Sequence, residues 1–166
     1  MINSLKTINE SIQSIQNTLE KTVNLVKYQM EETIRWNPSE EEWSILQILS
    51  HLNEAVPYWL NEIQTVVSAP GSGWGRGLQD PMRLAAVTDT DKLSVEEEIE
   101  KVELLKEKVF VGLSGLDGST LAQENPHRNF AEFGSKPVSF MIEHFIEEHI
   151  EGHYNQINRN LSKIED

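Results

Sequence analysis

The sequence has no cysteine, no long apolar run and few basic residues, and each shortage removes a class of function. Without cysteine there is no disulfide framework, and no thiolate can act as a nucleophile or a metal ligand. No stretch approaches the roughly 20 apolar residues needed to cross a bilayer. The opening "MINSLKTINESIQ" has no apolar core of a secretory signal, so a cytoplasmic protein is expected. Lys and Arg number 14 against 27 Asp and Glu, a formal charge of −13. Such a surface repels phosphate backbones and anionic lipid, and no basic stripe is present to release counterions. Nucleic acid and membranes are therefore disfavoured as partners.

What is present is helical periodicity. The 166 residues are expected to form one domain, 1–166, around a single core. Leu5, Ile8, Ile12, Ile15, Leu19, Val23, Val26, Met30 and Ile34 recur at intervals of three and four, which predicts one long amphipathic helix. Pro38 ends that pattern. A second helix is predicted from Ser44, with Gln47 completing a capping box and Trp43 stapled against Ile48; Ser39 with Glu42 is a rival start. Pro57 falls inside its stripe and should kink it rather than stop it. "SAPGSGWGRGLQDP" reads as a long irregular loop. A third helix opens at Ser94, with Glu97 three residues on, and residues 115–136 again look irregular. The fourth runs from about Pro137 to the end. No segment alternates with period two over a useful length. The prediction is an all-α, antiparallel four-helix bundle, with long connections between helices 2–3 and 3–4.

Three of the five histidines fall within "EHFIEEHIEGHYNQI". At about 100° per residue, His149 and His153 differ by about 40° and share the apolar face of Ile142, Phe145, Ile146 and Ile157. His144 lies about 140° from His149 and about 180° from His153, which predicts a solvent-facing residue. Glu147 and Glu148 are likewise placed away from the apolar face. Two inward imidazoles can reach one ion at roughly 2.0–2.1 Å, and His51, at the flank of the second helix's stripe, can supply a third nitrogen if those helices are adjacent. A buried pair of neutral histidines bonded to its neighbours would give the same pattern. The zinc-protease motif is absent, because "HIEGH" carries its glutamate at the third place. No nucleophile elbow, P-loop or dinucleotide fingerprint occurs.

At these residues the chain resembles the DinB/YfiT-like superfamily of metal-dependent four-helix bundles. The resemblance lies in "WSILQILSHLNE", with His51 eight residues after Trp43, and in "HIEGHYNQI", through His149, His153, Gln156 and Ile157. It departs from the commonest late motif at Gly152 and Tyr154, where a further histidine often follows. The resemblance implies a divalent ion, zinc or nickel, held by His51, His149 and His153. It also implies small-molecule chemistry, as a thiol S-transferase using a low-molecular-weight thiol or as a hydrolase, in a homodimer. The long apolar first helix suggests a dimer surface as well.

Catalytic residues beyond the triad are not identified, and a non-catalytic metal- or ligand-binding sensor bundle is the alternative. Three neutral imidazole ligands would leave the ion's charge uncompensated, lowering the pKa of a bound water or thiol. Metal binding should weaken as pH falls through about 6.5. Arg76 and Arg83 could hold a substrate carboxylate, or serve only solubility; Tyr58 could orient a substrate, or only pack.

Overall fold

The computed structural model describes residues 7–165. Helix α1 spans Ile8–Val26, started by the Thr7 side chain accepting the Glu10 N–H. It stops earlier than predicted, and a short helix α2, Glu31–Arg35, follows. At the break, the Gln29 amide donates to the free Leu25 carbonyl, and Tyr28 and Met30 point to solvent. The turn lets Ile34 enter the core from α2 instead. Leu5 lies outside the described residues. Helix α3, Ile45–Ser68, begins at Ser44 with the full reciprocal capping box to Gln47 and runs through Pro57 without a break. Helix α5, Val95–Leu113, is capped by Ser94. The fourth long segment joins α8, Val138–Ile142, to α9, Glu148–Glu165, through a π-turn at Glu143–Glu147.

These segments form an all-α four-helix bundle. Helix α1 packs on α5, α5 on α3, α3 on α8 and α9, and α9 closes back on α1. The core between them is apolar, with Ile15, Leu19, Ile48, Leu52, Val102, Leu105, Ile146 and Ile157 all buried. The apolar residues of α1 that suggested a dimer surface (Ile12, Ile15, Leu19, Val23 and Val26) are spent in this core.

The bundle is only partly antiparallel. Trp43, just before α3, accepts a hydrogen bond from Asn160 near the end of α9, while Trp59 stacks on Phe145, so α3 and the fourth segment run in opposite directions. By contrast, Asn53 bonds to Glu98 at the start of α5 and Gln64 to Gly112 at its end, which makes α3 and α5 parallel. Parallel neighbours cannot be joined by a tight turn. The chain after α3 must return along the helix, about 36 Å for its 24 residues.

Both long connections carry structure that was predicted to be irregular. The first holds α4, Pro81–Ala85, capped by Asp80, and a 3-10 turn at Thr90–Lys92. The second holds α6, Gly118–Ala122, strand β1, Glu124–Pro126, helix α7, Phe130–Phe133, and strand β2, Ser135–Pro137. The strands pair antiparallel with Asn125 opposite Lys136, and at three residues each they are too short to show an alternating pattern. Trp74 locks the two connections together. Its side chain is fully buried, its N–H groups donate to Pro126 O and Asn125 O, and its carbonyl accepts from Arg128 N–H.

Gly75 is a structural requirement rather than loop slack. Its φ is +91°, and a Cβ there would lie 2.1 Å from His127 Nε2. Gly75→Ala should therefore cost at least about 2 kcal/mol, combining backbone strain with a clash against a buried ring. Urea denaturation measures this, and wild-type stability in the variant would contradict the packing described.

Candidate metal centre

Helices α3 and α9 cross where His51, His149 and His153 meet. His51 is buried on the inner side of α3, and His149 and His153 are four residues apart on α9, one turn above the other. His149 Nε2 is 3.0 Å from His51 Nε2 and 3.0 Å from His153 Nε2, and one nitrogen from each ring lies within 4.8 Å of the others. The three residues named from sequence are thus brought together, as their adjacency on neighbouring helices requires.

The hydrogen bonds on the far sides of two rings decide what these nitrogens are. His149 Nδ1 lies 3.2 Å from the Phe145 carbonyl, which can only accept, so Nδ1 carries the proton. His153 Nδ1 lies 2.8 Å from Gln156 Oε1, which likewise accepts. Both Nε2 atoms are therefore bare lone pairs, pointed at each other at 3.0 Å. Two acceptors at that distance repel unless a cation lies between them, and two nitrogens 3.0 Å apart can both reach one ion at about 2.0–2.1 Å. The donor set fits a divalent ion. His51 Nδ1 is buried without a partner, so its tautomer is left free to present Nε2 as well. Trp43 walls the cluster, with its ring 5.0 Å from His51 and stacked 5.9 Å from His153.

Burial also prepares the rings for a cation. Desolvation, aided by the neighbouring His153 and His149, pushes the His51 pKa down to about 2. Desolvation and His153 push His149 to about 4, and burial lowers His153 against the opposing Gln156 bond. All three rings give up their protons more readily than a free imidazole, so proton competition with a metal begins at lower pH than the unperturbed value predicts.

His144 is exposed, as its helical position predicts, but it also reaches the edge of the site. A π-turn closes i→i+5, shown by the Glu148 N–H bonding to Glu143 O, and brings residues five apart to the same side. His144 and His149 consequently both line a cleft of about 390 Å³ beside the cluster, together with Trp59, Phe145 and Glu148. The His144 ring is half exposed, stacks on Phe140, and places Nδ1 3.3 Å from Glu148 Oε2. Glu147, expected to face away from the core, is buried for the same reason.

The two arginines divide. Arg76 is committed: it makes a two-pronged pair with Glu54 at 2.7 and 2.5 Å, reaches Asp80 at 3.4 Å and lies over the Tyr58 ring. Arg83 borders the cleft, lies over Trp43 at 5.9 Å, and donates to the Leu78 carbonyl. Tyr58 faces a separate shallow cleft, donating its O–H to Glu62, and burial with that bond raises its pKa. His127, which no sequence pattern marked, is buried between Trp74 and Phe133 with Nδ1 accepting from Asn129 N–H. Trp59 too was missed, because an aromatic on a helix face looks like core until its neighbours are known.

The architecture is that of a four-helix bundle with a three-histidine cluster between its second and fourth long helices. The chain belongs to the DinB superfamily, whose model matches residues 14–157. It is similar in fold to a solved structure of YfiT from Bacillus subtilis, described as a probable metal-dependent hydrolase with an unusual four-helix bundle topology. The match has a TM-score of 0.81 at 11% identity and covers 99% of this chain and 92% of that one. No curated protein matches the chain. Among the described residues, no helix is long and apolar enough to cross a membrane.

The depressed histidines make the metal-free protein acid-sensitive. Below about pH 6.5 these histidines protonate in the unfolded chain but stay neutral in the fold, so the unfolded state binds more protons. Stability should fall as pH drops from 6.5, down to about 4 for His149 and about 2 for His51, by at most about 1.4 kcal/mol per pH unit for each ring. Urea melts in chelator at pH 7 and pH 5 should show this slope, and His51→Gln with His149→Gln should flatten it. An equal slope in the double variant would locate the acid sensitivity elsewhere.

Proposed function

We propose that His51, His149 and His153 hold one divalent ion, zinc or nickel, through their Nε2 atoms, and that the protein is a metal-dependent enzyme acting on a small molecule. The observation carrying this reading is the 3.0 Å approach of two Nε2 lone pairs whose rings have their protons committed on the other side. Three neutral ligands leave the ion's charge uncompensated, so when bound it would act as a Lewis acid that lowers the pKa of a water or a thiol. Hydrolysis follows in the first case. S-transfer from a low-molecular-weight thiol follows in the second.

The chain's own residues supply the setting. The Phe145 carbonyl and Gln156 fix the tautomers of His149 and His153, which keeps Nε2 of each turned inward. Trp59 and Phe145, stacked with centroids 4.2 Å apart, form an apolar wall that excludes water from one side of the cleft. His144, with Nδ1 turned to Glu148, keeps Nε2 available to take or give a proton at the cleft's edge. The protein's −13 charge still argues against nucleic acid as its substrate.

Metal analysis tests the reading. The purified protein should carry about one divalent ion per chain, His149→Ala should lose it, and His144→Ala should keep it. Occupancy should persist below pH 6.5, because the rings are already neutral there, and be lost as pH approaches about 4, where His149 protonates. Retention of metal by His149→Ala would remove the triad. If metal binds but neither ester hydrolysis nor thiol transfer appears, the protein is a metal-binding or sensor bundle instead.

A further inference from the structure

We propose that the cleft beside the histidine cluster selects small carboxylates with an apolar body, and that the Arg83 guanidinium is the group that recognises the anion. The proposal deepens the metal-dependent reading, since it places the carboxylate next to the three histidines. The Arg83 contact itself does not require the ion.

Charge in the cleft is unevenly distributed. Arg76 is neutralised by Glu54 and Asp80, and its side chain is only 7% exposed. Glu148 is the carboxylate at the rim, on the α9 side, where it faces His144. Arg83 stands on the other side, and no carboxylate among the described residues pairs with its side chain. Among the described residues the one acceptor of its side chain is the Leu78 carbonyl at 3.1 Å, which uses a single N–H of five. The remaining fork is a ready partner for a planar carboxylate.

Arg83 is held in place rather than carried on a loose loop. The Gln47 amide donates to Val87 O at 3.0 Å and Ser50 Oγ to Ala86 O at 2.5 Å, fixing the chain just after α4. The Arg76 pair with Glu54 fixes the chain before it. Gln47, Ser50 and Glu54 flank His51 on α3, so the helix that presents the first ring also sets the position of Arg83. The Trp43 ring neighbours both, with the guanidinium 5.9 Å from its centre and the His51 ring 5.0 Å away. Such preorganisation reduces the ordering cost of binding.

The rest of the cleft is apolar. Trp59, Phe145, Ala55 and Leu78 line it, and its volume of about 390 Å³ suits a ligand the size of an aryl or short alkyl acid. A monoanion is favoured over phosphate esters, because a second negative charge would meet the repulsion of a chain carrying −13.

The test uses phenylacetate against phenylacetamide, which differ in charge but little in shape, with phenylphosphonate as the dianion. Each is titrated calorimetrically into zinc-loaded wild type, Arg83→Gln and Arg83→Lys, with bound metal measured in every sample. Wild type should prefer the acid over the amide by about tenfold or more, as expected for one charge-assisted pair. Phenylphosphonate should bind more weakly than phenylacetate. Arg83→Gln should lose the preference while holding the same metal content, and Arg83→Lys should retain part of it. Equal binding of acid and amide by wild type, absence of binding, or full preference in Arg83→Gln would overturn the proposal, the last by assigning the anion to the ion alone. Tighter binding of the phosphonate would overturn the choice of carboxylate. Failure of wild type to hold metal would count against the histidine site alone, and the acid preference, read in the same samples, would still decide Arg83.

Discussion

Helices α3 and α5 run side by side in the same direction, and the rest of the molecule is arranged around that constraint. A parallel pair needs a crossover as long as the helix itself, so residues 69–94 travel back along the outside of the bundle. They pass over the α3–α9 seam, and α3 holds them there through Gln47, Ser50 and Glu54. The histidine cluster thereby acquires a roof, and the gap under the roof is the cleft. An up-and-down bundle with short turns could bring the same three rings together, but it would leave them open to solvent on that side.

The π-turn in the last long segment adds a second consequence. By adding one residue to a turn, it shifts everything before Glu148 relative to everything after it. His149 and His153 keep the inward face dictated by their own helix. His144 and Phe145 are rotated to the cleft, and Glu147 goes to the interior. Irregular turns of this kind cost helical hydrogen bonding and persist where surrounding packing determines them. Here Phe145 is stacked on Trp59 and edge-on to Trp74, and Ile146 and Ile150 are buried on either side.

Burying three neutral imidazoles, two of them with opposed lone pairs, is unfavourable by itself. The fold sustains it because Phe145 O and Gln156 satisfy the outer nitrogens and because the apolar walls keep water from relaxing the arrangement. In a chain of net charge −13, Arg83 stands beside that cluster without a carboxylate partner among the described residues, while Glu148 faces it across the cleft.

The all-α class, the Ser44–Gln47 capping box, the Ser94 cap (without its reciprocal Glu97 bond) and the inward direction of His149 and His153 could be read from sequence because each depends on residues a few positions apart. Ser44 with Gln47, and His149 with His153, are related by helical pitch alone. The early stop of α1, the parallel α3–α5 pair and the ordered connections could not be read, since they depend on contacts between distant segments such as Trp74 with Asn125. The same holds within the site. Sequence pitch could place His51 only on the flank of a stripe, and its approach to His149, 98 positions away, was settled by how α3 packs on α9. Arg76 and Arg83 were indistinguishable as loop residues. Glu54, Asp80 and Leu78 separate them, neutralising one and leaving the other free, and that difference exists only once the chain has crossed back over α3.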